Sequence, residues 1–135
     1  MAFVRRALFS LVAIAAVFGV ITLLALEGQE VVVLRTFDAE KHGYDTRTWI
    51  ADYSGYAWIE AANAERPFLS RIAANPNVEV TRGGQVLRFR AITVGNPEGH
   101  RRIRELLAEK YGWADCWIGL LQDTSESVAL RLEPQ

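Results

Sequence analysis

A chain of 135 residues with 15 basic and 16 acidic side chains has room for one modest domain and carries almost no net charge. Half of it is hydrophobic, which excludes a disordered chain, and the mildly acidic balance argues against nucleic acid as a partner. A single cysteine, Cys116, excludes an intramolecular disulfide and a cysteine-based metal centre; it reads as a small buried hydrophobe.

The first predicted element is a transmembrane helix over residues 7–26. From Ala7 to Leu26 no residue is charged, and only Ser10, Gly19 and Thr22 are mildly polar. Twenty residues at about 1.5 Å rise span roughly 30 Å, the thickness of a bilayer's hydrocarbon core. The polar stripe of a soluble amphipathic helix is missing. Arg5 and Arg6, in a short basic N-terminus over residues 1–6, precede the run, whereas Glu27 and Glu30 follow it. The positive-inside rule then places the N-terminus in the cytoplasm and the rest on the periplasmic or extracytoplasmic side of a single-pass membrane protein. A cleavable signal peptide is the competing reading. It calls for a shorter apolar run and a small-x-small exit, but Leu23, Leu24 and Leu26 crowd the exit, which favours an uncleaved signal-anchor. Arg5-Arg6 before Ala7-Leu8-Phe9 matches a twin-arginine export signal only weakly.

Beyond the anchor, 109 residues remain, with 13 basic and 16 acidic side chains, and residues 30–135 of them form one predicted domain. Val31 to Phe37 reads as a β-branched strand, and Asp38 to Asp45 as a polar loop, with Asp45-Thr46-Arg47 a local turn. Thr46 to Tyr53 and Tyr56 to Ala61 flank Ser54-Gly55 as a hairpin. Pro67 opens a short helix that Asn75-Pro76 ends. Asn77 to Arg82 and Gln85 to Val94 flank Gly83-Gly84 as a second hairpin, with Leu87, Phe89 and Ala91 on one face of its second arm. Asn96-Pro97-Glu98 starts a helix with Ile103, Leu106, Leu107 and Tyr111 inward. Its Arg101, Arg102, Arg104 and Lys110 read as a solvated surface. A short apolar helix over 117–121 and a strand over 128–132 complete the chain. This order predicts a mainly β fold with helices (α+β), a closed or nearly closed antiparallel barrel.

From Val33 to Pro134 the chain resembles the deazaflavin-dependent nitroreductases, also described as F420H2-dependent quinone reductase-like proteins. The matching residues are Leu34-Arg35-Thr36, the loop with Lys41 and Gly43, and Ala74-Asn75-Pro76-Asn77-Val78-Glu79-Val80. Gly83-Gly84, Phe89-Arg90-Ala91, Glu109-Lys110-Tyr111 and Leu130-Arg131-Leu132-Glu133-Pro134 follow in the same order. The resemblance implies an antiparallel split β-barrel, a bound F420 or FMN, a quinone or nitro compound as substrate, and pairing into a homodimer. It also implies a cofactor loop after the first strand. There the family's Gly-Arg-Lys-Ser/Thr-Gly stands as Ala39-Glu40-Lys41-His42-Gly43, and the family's Asn-Pro-x-Trp-Tyr-x-Asn as Glu65-Arg66-Pro67-Phe68-Leu69-Ser70-Arg71.

The candidate cofactor-binding residues are therefore Lys41, His42, Gly43 and Arg47 from the first loop, with Arg66, Phe68 and Arg71 across from them. A helix N-terminus beside arginine suits a phosphate. No catalytic acid stands out, because in such enzymes the cofactor carries the chemistry. No metal-ligand spacing surrounds His42 or His100. Trp49, Tyr53, Tyr56, Trp58, Trp113 and Trp117 read as barrel core, as walls for a flat ring, or as a belt at lipid headgroups. Two functions remain: a membrane-anchored reductase acting on a membrane quinone or nitro compound, and a non-catalytic tethered binding module that keeps the fold without the cofactor.

Overall fold

The computed structural model describes residues 2–135. Helix α1 (Ala2–Glu27) is long and apolar enough to cross a membrane. It stands exposed from Val4 to Val20, and only near its end does Ala25 become buried against the domain. The chain leaves α1 through Gly28, whose N–H donates to Leu24 O at 3.0 Å. A Cβ at Gly28 would lie 2.5 Å from that oxygen, so the tight exit requires glycine.

Seven strands follow: β1 (Val31–Phe37), β2 (Gly43–Trp49), β3 (Ala51–Tyr53), β4 (Tyr56–Ala61), β5 (Asn77–Arg82), β6 (Gln85–Val94) and β7 (Val128–Pro134). They form one antiparallel sheet in the order β2-β1-β5-β6-β7-β4-β3. The class is α+β, and the sheet is curled into a half-barrel. Its two edge strands, β2 and β3, are consecutive in the chain and joined by Ile50 alone. Two expected hairpins have the backbone their residues demand. Ser54 and Gly55 take φ of 53° and 81°, and Gly83 and Gly84 take 56° and 79°, the pair of positive values that matches the twist of flanking strands.

Two expectations in this region are corrected. Residues 43–45 belong to β2, not to a loop, and Asp45-Thr46-Arg47 is strand, not a turn. Asp45 lies directly opposite Arg35 and accepts two hydrogen bonds from its guanidinium, at 2.6 and 2.8 Å. The expected strand over 46–53 is interrupted at Ile50 because its main chain bonds to a helix and not to a neighbouring strand. Ile50 N–H donates to Tyr111 Oη at 3.1 Å, and Ile50 O accepts from Lys110 Nζ at 2.7 Å.

Three helices pack on this sheet: α2 (Pro67–Ala74), α3 (Glu98–Tyr111) and α4 (Trp113–Leu121). One apolar core lies inside the curl, around Leu34, Ile59, Val80, Leu130 and Leu132, with Phe68 and Ile72 of α2. A second lies outside it, where Ile103, Leu106, Leu107 and Tyr111 of α3 cover Trp58, Ala51, Ala129 and the end of α1 at Ala25. The expected inward face of α3 is the observed one. The helix starts at Glu98 with Pro97 as its N-cap, and Asn96 Oδ1 still accepts from His100 N–H at 3.1 Å. Helix α4 begins four residues before its expected start. Cys116 is exposed, contrary to expectation, because the inward positions of α4 belong to Ala114 and Asp115. Of the six aromatics named above only Trp58 is core; Tyr53, Tyr56 and Trp113 are exposed.

Candidate functional site

The expected cofactor residues fall into two groups. At the tip of the β1–β2 hairpin, the chain turns through Lys41, which takes a positive φ of 66°. A phosphate held here would need main-chain and hydroxyl donors pointing at empty space. Those donors already converge on Asp38. Its carboxylate accepts from His42 N–H at 2.8 Å and from Tyr44 Oη at 3.1 Å, and it faces His42 Nδ1 at 3.2 Å. Partial burial works against its ionisation, but the His42 amide, the Tyr44 hydroxyl and the His42 ring together hold Asp38 below the usual carboxylate range. Asp38, Glu40 and His42 also bring one donor atom each within 4.8 Å of one another, a grouping that the linear spacing around His42 does not suggest. Gly43 is an ordinary strand residue opposite Phe37, packed under the Arg35 side chain.

Arg71 is consumed by the fold. Its Nε donates to buried Thr36 Oγ1 at 2.9 Å, and its guanidinium lies 4.3 Å from the centroid of the Tyr44 ring. None of Lys41, His42, Gly43 and Arg71 reaches the second group.

That second group is a cleft of about 270 Å³ between the end of α1, strand β2 and helices α2, α3 and α4. Arg47, Arg66 and Phe68 line it, so the structure brings together three of the seven residues. Strand β2 pairs with β1 alone. Its other edge therefore has no strand partner, and Thr46, Thr48 and Trp49 form one wall of the cleft. Trp49 stacks on Tyr111 with centroids 4.5 Å apart and planes 16° from parallel, which fixes its ring. Phe68 lies at the start of α2, directly after Pro67. Arg66 is the N-cap residue there, exposed, with an extended backbone and no side-chain cap. Among the described residues no carboxylate pairs with it, whereas Arg47 at the mouth pairs with Glu27 of α1.

The floor of the cleft was invisible in the sequence. Arg104 of α3 donates to Glu60 of β4 at 2.9 and 3.1 Å and to Asp115 of α4 at 2.6 and 2.7 Å. All three side chains are more than three-quarters buried. Burial works to strip the Arg104 proton, but the two carboxylates prevail and raise its pKa above the ordinary value. Arg104 is thus a buried tie among three elements and not the solvated cation expected. Lys110 is corrected in the same way, since it pairs with Glu30 and caps Ile50 O. Neither role had a local signal: Glu60 lies 44 positions from Arg104, and Glu30 lies 80 from Lys110.

A third cluster ties the segment after α1 to β3, β5 and α3. Arg82 donates to both oxygens of Glu30, at 2.6 and 3.0 Å, and of Asp52, at 2.8 and 2.7 Å. Those bonds hold both carboxyls below their usual range and raise the Arg82 pKa. Tyr111 Oη lies 2.7 Å from Ile50 O and 2.9 Å from Glu30 O, with one proton to donate.

No family model matches the sequence, and no curated protein is similar to it at a significant level. Solved structures are similar in fold. An FAD-binding protein from Mesorhizobium loti aligns at a TM-score of 0.58 and 15% identity over 82% of this chain and 83% of its own. An F420 reductase aligns at 0.54 and 18%, over 84% of this chain and 92% of its own. A heme storage protein from Vibrio cholerae aligns at 0.59 and 16%, over 82% and 85%. The likeness to these proteins is one of fold, an antiparallel split barrel.

Proposed function

We propose that this chain is a membrane-anchored split-barrel protein of the oxidoreductase type, whose cleft takes the flat ring of a flavin or deazaflavin. The observation that carries the reading is the cleft itself. It combines an unpaired strand edge, two aromatic side chains and an arginine without a partner, in a space about large enough for one ring system. The edge of β2 has main-chain donors and acceptors for ring heteroatoms, and Trp49 and Phe68 supply apolar contact. Arg66 at the start of α2 supplies the positive charge for an anionic tail. The hairpin tip does not fit a phosphate, because Asp38 fills the place an anion would take. Bound in the cleft, such a cofactor would supply hydride or electron transfer. The chain's own residues bind and orient it, and the Arg104 tie holds the floor rigid.

In the same reading α1 crosses the bilayer with the barrel on the extracytoplasmic side, and the substrate is an apolar quinone or nitro compound dissolved in lipid. A second reading, a tethered binding module without redox chemistry, is favoured by Asp38. A loop that satisfies its donors internally is what remains when a phosphate site is lost.

The test uses the full chain in lipid nanodiscs, titrated with FMN and with F420 while ligand fluorescence is followed. Binding in the micromolar range that weakens with Arg66→Ala, and not with Lys41→Ala, supports the first reading. A folded chain that binds neither ligand leaves the second. A reporter fused after Gln135 tests the side: extracytoplasmic activity is expected, and cytoplasmic activity overturns the orientation.

A further inference from the structure

Helix α4 lies alongside α1, within the stretch assigned above to the membrane. Trp117 Nε1 donates to Thr22 Oγ1 at 3.1 Å, and the Trp117 ring lies 5.1 Å from that of Phe18, tilted by 52°. Thr22 and Phe18 precede Glu27 by five and nine residues, so this contact lies about 7–13 Å along the helix from its charged end. An amphipathic helix at a membrane surface buries its apolar face about 5–10 Å into the headgroup–acyl boundary. The two ranges overlap.

The outward face of α4 suits that position. Trp113, Cys116 and Leu120 are spaced three and four apart and all are exposed, with Leu120 at 76% and Trp113 at 54%. The only charged residue of α4, Asp115, turns inward to Arg104. The exposed face therefore carries no charge over its whole length. In water such a face would be a liability; beside a spanning helix it continues the apolar surface of α1.

We propose that α4 lies in the headgroup–acyl boundary of the membrane that α1 crosses, with Trp113, Cys116 and Leu120 facing lipid. The inference rests on the reading of α1 as a membrane span and goes beyond it, because a span alone leaves the domain free in water. It also places Leu26 of α1 and Ile118 of α4, which line the cleft, within reach of molecules dissolved in the lipid.

Cys116, the sole cysteine, makes the face testable in the full chain. It is labelled with a small thiol-reactive fluorophore in nanodiscs of phosphatidylcholine and phosphatidylglycerol. A second sample carries the same label at position 14 through Ile14→Cys in a Cys116→Ser background. The expected result is that the Cys116 probe loses fluorescence to a phosphatidylcholine bearing a nitroxide high on its acyl chain and is shielded from aqueous iodide. Quenching of the Cys116 probe by iodide alone, while lipid-borne nitroxide still quenches the probe at position 14, overturns the proposal and leaves the anchor standing. Failure of nitroxide lipids to reach either probe removes the anchor reading and the proposal with it. Exclusion of both quenchers from the Cys116 probe alone means that another protein surface, such as a second copy, covers α4, which also overturns it.

Discussion

The hairpin tip and the cleft are both rich in hydrogen-bonding and charged groups, yet only the cleft sets an unpaired cation beside an unpaired strand edge. At the tip, the His42 amide, the His42 ring and the Tyr44 hydroxyl all converge on Asp38, so the loop carries its own anion. In the cleft, Arg104 is satisfied twice over, but Arg66 and the outer edge of β2 are not. Charge therefore does not mark the site. What marks it is a donor without a partner beside a volume that can be filled.

The contrast can be broken from the floor of the cleft upward. Arg104→Ala leaves Glu60 and Asp115 facing each other without their cation and is expected to cost about 3 kcal/mol of stability, read by urea or thermal unfolding. His42→Ala at the exposed tip should change stability by under about 0.5 kcal/mol. Equal losses would mean that the tip is as integral to the fold as the floor. Arg66→Ala should weaken binding of an anionic ring ligand roughly tenfold, about 1.4 kcal/mol, with unfolding unchanged.

The cluster of Arg82, Glu30 and Asp52 beyond α1 responds to acid. Glu30 and Asp52 are held below their unfolded values, chiefly by Arg82. A depressed carboxylate pKa adds stability that is present above the unfolded value, about 4, and lost as pH falls through the folded one. The melting temperature should be level from about pH 7 to 5 and drop below about pH 4, with a smaller drop in Glu30→Gln. The smallest effect sharpens the comparison from the other side. Asp38→Ala frees the His42 amide and should let the tip bind inorganic phosphate weakly, detected by amide shifts in NMR spectra. No shift at His42 would show that the tip lacks the geometry as well as the vacancy.

Features set within a few residues were legible in the sequence. Ser54-Gly55 and Gly83-Gly84 announce their turns because few residues tolerate paired positive φ. Ile103, Leu106, Leu107 and Tyr111 announce the inner face of α3 because burial repeats with the helical period. Arg66 and Phe68 stood out by their place in a motif and Arg47 by its closeness to the first loop, and all three line the cleft. The hidden features depend on partners distant in the chain. Ile50 breaks a strand because Tyr111, 61 positions away, bonds its main chain. Arg104 looked like one of several surface arginines because its two carboxylates come from β4 and from the following helix. Cys116 looked buried because nothing in the local pattern separates a helix face packed on protein from one left uncovered.

Strand β7 lies between β6 and β4, although it follows both in the chain. On a ribosome the other six strands emerge before the one that joins their two groups. Until residues 128–134 appear, β6 and β4 each present an unpaired edge, and Leu130 and Leu132 are missing from the core. Nascent chains in that interval expose both edges, the condition that favours aggregation. Translation that stalls before Val128 should yield material that is degraded or aggregated, whereas the released full chain folds.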